Sequence, residues 1–359
     1  MKNIKTAFVT FFPVKPNNMG SSTVINSRFK YWPGEKKIFQ LSTKNINNKF
    51  VITILLKKEN PINKILSLPS IIFKIFKFLN NHKNNFIVIE GASWIFYSFI
   101  ILILFKVLLP KTKLIYFSHS IESEIRKKYS NKFIYLLTFY LEKFVLKYSD
   151  IATSVSNIER KKFEKIYNKE TVLFPNAISV KTKIGKKNVN NKYIIYCGSY
   201  LYHPNKVAID YLNKIYMPKI SKKFPNIKLL LTGGGYNKKF PWLINKGIVE
   251  KKILYNLIYF SEFMCVPLNF GSGTRIKILE ALSLGTIVLS SKKGIEGIDL
   301  HKIKPPFVFK NEKELFNISK KIILNNRKIK LKSKKNKTYF INKYSMKKNL
   351  RIFLNDFIY

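Results

Sequence analysis

Acidic residues are scarce in this chain. Its 359 residues include 19 Asp and Glu against 66 Lys and Arg, which gives a formal net charge of +47. No two aspartates are separated by a single residue, so the sequence has no Asp-x-Asp pair, an arrangement in which two close carboxylates hold a divalent metal. One common type of metal site is therefore excluded. The aspartates are Asp150, Asp210, Asp299 and Asp356.

Cysteines and long hydrophobic runs are also few. Cys197 and Cys265 lie in apolar, strand-like runs, which predicts reduced core thiols and favours a cytosolic protein. The most apolar stretch, WIFYSFIILILF at 94–105, is interrupted by Lys106 short of the roughly 18 to 20 residues that span a bilayer. The N-terminal MKNIKTAFVTFFP has too short an apolar run for a signal peptide and predicts a first strand.

Lysine is abundant, and two explanations of the charge remain open. The lysines occur in every segment together with many Asn and Ile, a pattern typical of compositional bias. A basic nucleic-acid-binding protein is an alternative, although no zinc spacing, recognition helix or aromatic-interleaved strand is present. We therefore expect no dedicated nucleic-acid partner. Attraction to anionic lipid headgroups explains the positive charge better.

Strand-like and helix-like runs alternate along the chain, which predicts doubly wound parallel sheets. A polar run at 179–192 predicts a linker, after which the alternation restarts. We therefore expect an N-terminal domain at 1–178, a C-terminal domain at 193–340 and a final helical segment at 341–359. In the first half, strands are predicted at 4–11, 37–42, 49–56, 86–90, 113–117, 150–155 and 171–174, and helices at 22–31, 62–80, 94–108, 131–148 and 156–167. In the second half, strands are predicted at 193–198, 227–232, 262–267 and 286–289, and helices at 205–223, 250–259, 274–284 and about 344–357.

The segment FGSGTRIKILEALSLGTIVLSS, residues 270–291, has the pattern of a loop, a helix and a strand. Its glycines fit the turn before the helix, Ser272 or Thr274 can cap the exposed amides, and Gly285 is placed to end the helix. The loop follows the predicted strand 262–267, at the carboxyl edge where open α/β sheets bind ligands.

The residues of this helix start point to an anionic ligand. Free amides at a helix N-terminus attract anions, and Arg275 and Lys277 add two cations. Glu280, one turn further, supplies a carboxylate for hydroxyl groups. A nucleotide, which carries both phosphate and a vicinal diol, would satisfy this set. The alternative is an ordinary surface ion pair between Lys277 and Glu280.

Three runs together resemble the group 1 (family 4) glycosyltransferases of the GT-B fold. PLNFGSGTRIKILEALSLGTIVLSSKKGIEGI is similar to their donor-binding signature, YCGSYLYHPNKVAIDYLNKIYMPKISKKFPNIKLLLTGGG to the opening of their second domain, and VLFPNAI to the end of their first. The resemblance covers most of 170–300. It implies two Rossmann-like domains that face a central cleft, with a C-terminal helix that returns to the first domain.

The resemblance also implies roles for individual residues. Glu280 would bind the ribose hydroxyls of a nucleotide-sugar, and Arg275 and Lys277 would lie near its diphosphate. His119, in FSHSIES, matches a first-domain histidine that commonly contacts the donor sugar. Backbone amides near the diphosphate would come from Gly271, Ser272, Gly273 and Thr274, and from the glycine loop that contains Gly20 on the other side of the cleft.

One position departs from the family pattern. Many members carry a second glutamate eight positions before the ribose-binding one, where this chain has Ser272. The identity of the donor sugar therefore stays open, as does a catalytically silent GT-B-like protein. A non-hydrolysing sugar-nucleotide epimerase shares the fold but needs acid and base carboxylates, which this chain hardly supplies.

The resemblance implies retaining, metal-independent glycosyl transfer without a bound cofactor. The acceptor would be a membrane-bound or lipid-linked glycan in cell-surface polysaccharide or lipopolysaccharide synthesis. Two basic, apolar segments, 63–79 and 125–147, are typical of interfacial helices, unless their apolar faces are core and their lysines only extend to water. We therefore expect a cytoplasmic protein on the anionic inner face of the membrane.

Overall fold

A computed structural model describes residues 4–14, 20–46, 48–80, 82, 84–178, 184–186, 189–271, 273–300, 303 and 306–358. The chain divides into two compact units. The N-terminal unit comprises Met1–Asn176 together with Met346–Tyr359, and the C-terminal unit comprises Ala177–Ser345. The divisions thus fall at Asn176 and Ser345, where the sequence led us to expect 178 and 340. Part of the expected linker, 179–183 with 187 and 188, lies outside the described residues.

The N-terminal unit is built on a parallel sheet of seven strands in the order β3-β2-β1-β4-β5-β6-β7. Every pairing is parallel, and the order reverses beside β1, as in doubly wound folds. Its central strands are mostly apolar and buried because helices cover a parallel sheet. The strands are β1 (Lys5–Thr10), β2 (Glu35–Ser42), β3 (Val51–Leu55), β4 (Asn85–Gly91), β5 (Lys113–Ser118), β6 (Ile151–Ser154) and β7 (Val172–Leu173).

The helices of this unit differ from the predicted ones in two places. The run predicted as one helix at 62–80 is two helices, because the chain is interrupted at Ser67 before Pro69. The segment 125–147, expected as one interfacial helix, is divided at Ser130, and its first residues belong to a separate helix, Glu122–Tyr129. The helices are α1 (Gly20–Tyr31), α2 (Pro61–Leu66), α3 (Leu68–Leu79), α4 (Ile95–Leu108), α5 (Glu122–Tyr129), α6 (Lys132–Tyr148) and α7 (Asn157–Tyr167).

The C-terminal unit repeats the architecture with a six-stranded parallel sheet in the order β10-β9-β8-β11-β12-β13. Two short edge strands of this sheet, β10 and β13, were not predicted. The strands are β8 (Lys192–Cys197), β9 (Ile227–Thr232), β10 (Leu243–Asn245), β11 (Phe263–Val266), β12 (Val288–Ser291) and β13 (Phe307–Phe309).

The helices of the C-terminal unit include a π-helical turn. The predicted helix 205–223 is continuous, but its middle, Leu212–Tyr216, is π-helical. The basic segment near 327–337 lies inside a long helix, α13, which also contains residues 341–343. The helices are α8 (His203–Tyr211), α9 (Met217–Lys223), α10 (Lys251–Phe260), α11 (Ile276–Leu284), α12 (Glu312–Leu324) and α13 (Asn326–Lys343).

The last helix, α14 (Met346–Phe357), packs in the N-terminal unit. Its Phe353 ring lies 5.4 Å from the ring of Phe117 in β5 and 5.3 Å from that of Phe174, between ring centroids. This confirms the expectation that the C-terminal helix returns to the first domain. No helix within the described ranges has the length and apolarity that a membrane span requires. Cys197 and Cys265 are both free and buried, as expected.

Candidate functional site

The glycine loop after β11 has a backbone that only glycine adopts easily. Gly271 and Gly273 have φ angles of 111° and 73°. A Cβ atom at Gly271 would also lie 2.9 Å from Nη2 of Arg275. Ser272, between the two glycines, lies outside the described residues. The conformation therefore requires the glycines, as the sequence predicted.

Helix α11 begins two residues later than predicted, at Ile276, with Arg275 as the residue that precedes the first turn. The Arg275 side chain makes no capping hydrogen bond. The Ile278 amide donates to the Arg275 carbonyl at 2.9 Å, whereas the amides of Ile276 and Lys277 come too early in the helix for an intrahelical acceptor. Nη1 of Arg275 donates to the Gly273 carbonyl at 2.7 Å. The hydroxyl of Thr274 is buried with no hydrogen-bond partner among the described residues. Free amides, an orphaned hydroxyl and a cation thus meet in this loop.

Lys277 lies on the first turn of α11 and points to β8 and the start of α8. Its Nζ donates to Oδ1 of Asn205 at 3.0 Å and lies 4.1 Å from the centroid of the Tyr196 ring. Burial, together with the nearby Arg275, lowers the pKa of the Lys277 ammonium to about 7, although Cys197 acts in the opposite direction. The site therefore holds a partly desolvated cation, which a bound anion would stabilise.

Glu280 is buried and does not pair with Lys277. Its Oε1 accepts from Nζ of Lys251 at 2.5 Å and from the Tyr255 hydroxyl at 3.2 Å, both on α10. The alternative of a surface ion pair between Lys277 and Glu280 is therefore wrong. Sequence inspection missed Lys251 and Tyr255 because they belong to a helix about 25 residues upstream in the chain.

The loops after β8 and β9 pack closely beside this site. Gly233 has a φ of 119°, and a Cβ atom there would lie 2.4 Å from the Gly198 carbonyl oxygen. The first of the three consecutive glycines therefore permits close packing between two loops at the carboxyl edge of the sheet. The imidazole of His203 lies 5.3 Å from the ring of Phe270, between centroids.

In the N-terminal unit, His119 follows β5 directly and is held by a buried carboxylate. Its Nε2 lies 2.8 Å from Oε2 of Glu90, at the end of β4, and Oε1 of Glu90 is paired with Arg28 of α1. Arg28 and Glu90 are both fully buried. The Arg28 guanidinium carbon lies 3.6 Å from the centroid of the Phe117 ring. Three elements thus fix the imidazole.

The charges of this cluster offset the cost of burial. Burial by itself would raise the pKa of the Glu90 carboxyl, but Arg28 and His119 outweigh it and hold the pKa below its usual value. Sequence inspection missed both Glu90 and Arg28. The available signal was a glutamate at the end of an otherwise apolar strand, since a charged residue there needs a partner.

The described structure thus places the predicted residues in two groups. Arg275, Lys277 and Glu280 meet with the glycine loop in the C-terminal unit. His119 belongs to the N-terminal unit, as does Gly20, the exposed first residue of α1. Residues 15–19 of the predicted glycine loop lie outside the described ranges. Within those ranges, no three His, Cys, Asp or Glu side chains cluster in a way that could hold a metal ion.

Comparison with known families identifies the C-terminal unit. Residues 191–323 match the family described as "Glycosyl transferases group 1". This segment is similar to that family. It contains both the glycine loop and α11, so the anion-binding features described above lie inside the matched region. No curated protein has a significantly similar sequence.

Solved structures show the fold of the whole chain. Sucrose-phosphate synthase from Thermosynechococcus elongatus is 12% identical with a TM-score of 0.76, covering 98% of this chain and 97% of its own. HepE from Anabaena, in complex with UDP and glucose, is 12% identical with a TM-score of 0.69 and 98% coverage of both chains. Trehalose-6-phosphate synthase OtsA is 9% identical with a TM-score of 0.72 and the same coverage. The chain therefore has the GT-B fold.

Proposed function

We propose that this protein is a retaining glycosyltransferase that moves a sugar from a nucleotide-sugar to a membrane-bound or lipid-linked glycan acceptor. The observation that carries the proposal is the buried Glu280, held by Lys251 and Tyr255 on the helix that follows the glycine loop. Both contacts use Oε1, so Oε2 would accept a ribose hydroxyl. Cell-surface polysaccharide synthesis is the process that we infer for such an acceptor.

The leaving diphosphate is the group that the C-terminal unit would stabilise. Negative charge grows on it as the glycosidic bond breaks, and cations or amides already in place act most strongly on the developing charge. Arg275, Lys277, the first amides of α11 and the Thr274 hydroxyl can supply this. Because the cations come from side chains, the proposed transfer needs no metal ion or other cofactor.

The proposed transfer retains the configuration of the sugar because the acceptor hydroxyl attacks from the side that the leaving group vacates. The departing phosphate oxygen would receive the proton of the incoming acceptor hydroxyl, so no separate carboxylate base is required. His119 would contact the donor sugar. Its ring lies directly after β5 and is fixed by Glu90 of β4. Its Nε2 faces Glu90, so Nδ1 would face the sugar.

The first donor probes are UDP and UDP-glucose, because HepE has been solved in complex with both. Replacing Glu280 with alanine should weaken UDP binding about 10- to 150-fold. The physical reason is the loss of a hydrogen bond to a charged group, which contributes about 1.5 to 3 kcal/mol. Isothermal titration calorimetry measures the affinity directly.

The controls for this experiment are built into α10. Lys252 is exposed beside Lys251, so Lys252→Met should leave UDP affinity unchanged. Lys251→Met removes one support of Glu280 and should give an intermediate loss. Equal affinity in wild type and Glu280→Ala would contradict the ribose role. Binding without any sugar transfer to lipid-linked acceptors would favour a catalytically silent protein.

The N-terminal unit carries exposed apolar side chains on basic helices, which supports a membrane-bound acceptor. Phe73 on α3 is 65% exposed, and Phe133 and Tyr140 on α6 are 72% and 64% exposed. The opposite faces of both helices are core, at Ile71, Ile75, Leu141 and Val145. If the apolar faces were only core and the lysines only extended to water, these aromatic side chains would not be exposed on the outer faces of the helices. We infer a cytoplasmic protein that lies peripherally on the inner membrane face.

Replacing Lys127, Lys128 and Lys132 together by glutamate should abolish most binding to anionic vesicles at low salt. Each lysine near such a surface contributes about 1 kcal/mol, and the attraction decays over a Debye length of about 8 to 10 Å. Wild-type binding to anionic vesicles should fall as the salt concentration rises. A salt-resistant part should remain because the aromatic side chains contribute apolar contacts. Vesicle co-sedimentation measures both.

A matched charge reversal on the other unit is the control. Lys328, Lys332 and Lys335 are exposed on α13, and their triple replacement by glutamate changes net charge equally. It should leave most vesicle binding intact. If both triple variants lose binding alike, the whole-chain charge rather than this face is responsible. Equal binding of wild type to neutral and anionic vesicles would argue against an electrostatic membrane contact.

A further inference from the structure

Glu142 is a buried carboxylate that the proposed chemistry does not use. It points inward from α6, and its two oxygens accept the backbone N–H groups of Glu122 at 2.8 Å and Ser123 at 3.0 Å. The Tyr167 hydroxyl of α7 also donates to it at 2.5 Å and lies 2.5 Å from Oγ of Ser123. Two backbone amides and the Ser123 hydroxyl of α5, with the Tyr167 hydroxyl of α7, thus meet at the carboxylate of α6.

The two backbone N–H groups that donate hydrogen bonds to Glu142 are the first two of α5. The residue before this helix is Ile121, whose side chain cannot cap it. Amides at a helix start lack acceptors within the helix, and a carboxylate there is stabilising. Glu142 therefore caps α5 from a different helix.

Helix α5 begins three residues after His119, so the cap fixes the chain on which the imidazole is carried. The ring itself is held by Glu90. Between the two fixed points, Oγ of Ser118 donates to the Ser120 carbonyl at 3.0 Å. The segment from β5 to α5 is thus held at both ends, by Glu90 on one side and Glu142 on the other.

We propose that Glu142 is a positioning residue for His119, and that its ionised carboxylate holds the start of α5 in the arrangement that sugar transfer needs. Protonation turns one acceptor oxygen into a hydroxyl group, which donates a hydrogen bond and accepts an amide N–H only weakly. One contact of the cap then weakens and the His119 segment loosens. This inference rests on the proposed function, in which His119 contacts the donor sugar.

The surroundings of Glu142 make this ionisation sensitive near neutral pH. Burial raises the pKa of the Glu142 carboxyl to about 7, although the Tyr167 hydroxyl and the two amides act in the opposite direction. Tyr167 on α7 is the titratable side chain that donates to Glu142. Burial, followed by the charges of Glu142, Glu122, Glu159 and Glu90, raises the pKa of the Tyr116 hydroxyl on β5, so these carboxylates act on one core position. Burial also raises the pKa of the Glu122 carboxyl, which Arg126 on α5 opposes from 2.8 Å.

The direct test follows the amides of Glu122 and Ser123 by NMR across pH 5 to 9. In wild type, both should shift with a midpoint near 7, and in Glu142→Gln that titration should be absent. Tyr167→Phe removes a donor that favours the carboxylate, so the midpoint should move to higher pH. If the two amides do not titrate in wild type, or titrate equally in Glu142→Gln, the proposal is wrong.

The second readout is the pH profile of kcat with UDP-glucose or whichever nucleotide-sugar the protein transfers. Wild-type kcat should fall as pH drops through 7, whereas Glu142→Gln should lack this acid limb and have a plateau lowered roughly 10- to 100-fold, the range expected for a small misplacement. UDP affinity should be unchanged, because Arg275, Lys277 and Glu280, which would bind the nucleotide, lie in the C-terminal unit. Glu164→Gln, an exposed glutamate on α7, is the matched control and should behave like wild type.

These outcomes separate the inference from the proposed function. Titrating amides with an unchanged acid limb in Glu142→Gln would make Glu142 purely structural and overturn the positioning role, while transfer itself stands. Absence of transfer in wild type with every nucleotide-sugar tested would refute the proposed function and with it the positioning role. The amide titration would then still decide whether Glu142 caps α5.

Discussion

Replacing Lys277 with methionine should lower kcat about 100- to 1000-fold, the loss that follows removal of one donor to a developing oxyanion. Methionine keeps most of the stem that lies over Tyr196 and removes only the charge. Nucleoside binding should change little, because the charge on the diphosphate grows only as the sugar departs. Steady-state transfer kinetics and nucleoside calorimetry separate the two quantities.

The pH dependence of nucleotide binding offers an independent check on Lys277. Its pKa of about 7 in the free protein rises when an anion binds, so binding takes up a proton above that pH. UDP affinity should therefore be constant below pH 7 and decrease as pH rises above it. This alkaline loss has the opposite direction to the acid limb expected from Glu142. In Lys277→Met the alkaline loss should disappear.

Two variants and one reagent complete this experiment. Arg275→Ala should also lower kcat more than nucleoside affinity, whereas Lys335→Ala, at an exposed position of α13, should leave both unchanged. Transfer should survive EDTA. If EDTA abolishes transfer and magnesium or manganese restores it, a metal rather than these cations neutralises the leaving group.

The second large effect is expected at the buried cluster that holds His119. Replacing Glu90 with leucine leaves the Arg28 guanidinium buried without its carboxylate. Breaking one partner of a buried ion pair costs about 3 to 5 kcal/mol, because the remaining charge stays desolvated. We therefore expect the N-terminal unit of Glu90→Leu to unfold at a clearly lower urea concentration than wild type.

Tryptophan fluorescence can report on this unit alone. Of the three tryptophans, Trp32 and Trp94 lie in the N-terminal unit and Trp242 in the other, so the comparison is made in a Trp242→Phe background. The double variant Arg28→Met with Glu90→Leu removes both charges and should recover most of the loss. Equal midpoints for wild type and Glu90→Leu would show that Arg28 does not need the carboxylate.

Acidification should affect wild type and the double variant differently. The folded-state pKa of Glu90 is lowered, so its contribution to stability is present above the unfolded value of about 4.3 and is lost as pH falls through the folded pKa. Wild type should therefore lose stability below about pH 4 in excess of the double variant. The urea midpoints at pH 7 and pH 3.5 measure this difference.

The sequence predicted the elements that local pattern specifies. Apolar strands such as β4 and β5 could be recognised because both faces of a parallel sheet are covered. Gly285 was predicted to end α11, and its φ of 76° confirms this. Helix α5 was not predicted as a separate helix because its eight residues are mostly charged and have no apolar stripe. The edge strands β10 and β13 were missed because three residues give too short a pattern.

The candidate site was predictable only where it is local in the chain. The glycine loop, Arg275, Lys277 and Glu280 fall within ten residues, so their order along a helix start could be inferred. The partners that set their chemistry could not. Asn205 reaches these residues from α8, and Lys251 and Tyr255 reach them from α10. Hydrogen bonds between such distant segments leave no periodic signal.

The sequence by itself therefore determined the two doubly wound units and the anion-binding loop, because each depends on short-range pattern and backbone preference. The return of the C-terminal helix followed only from the family resemblance. Only the tertiary structure decided which charges are buried and with what they pair. It turned Glu280 from a possible surface partner of Lys277 into a carboxylate held by α10, and it joined Arg28, Glu90 and His119 across three elements. The physical reason is that the free energy of a charge depends on its desolvation and its partners, and both are fixed only when distant segments pack.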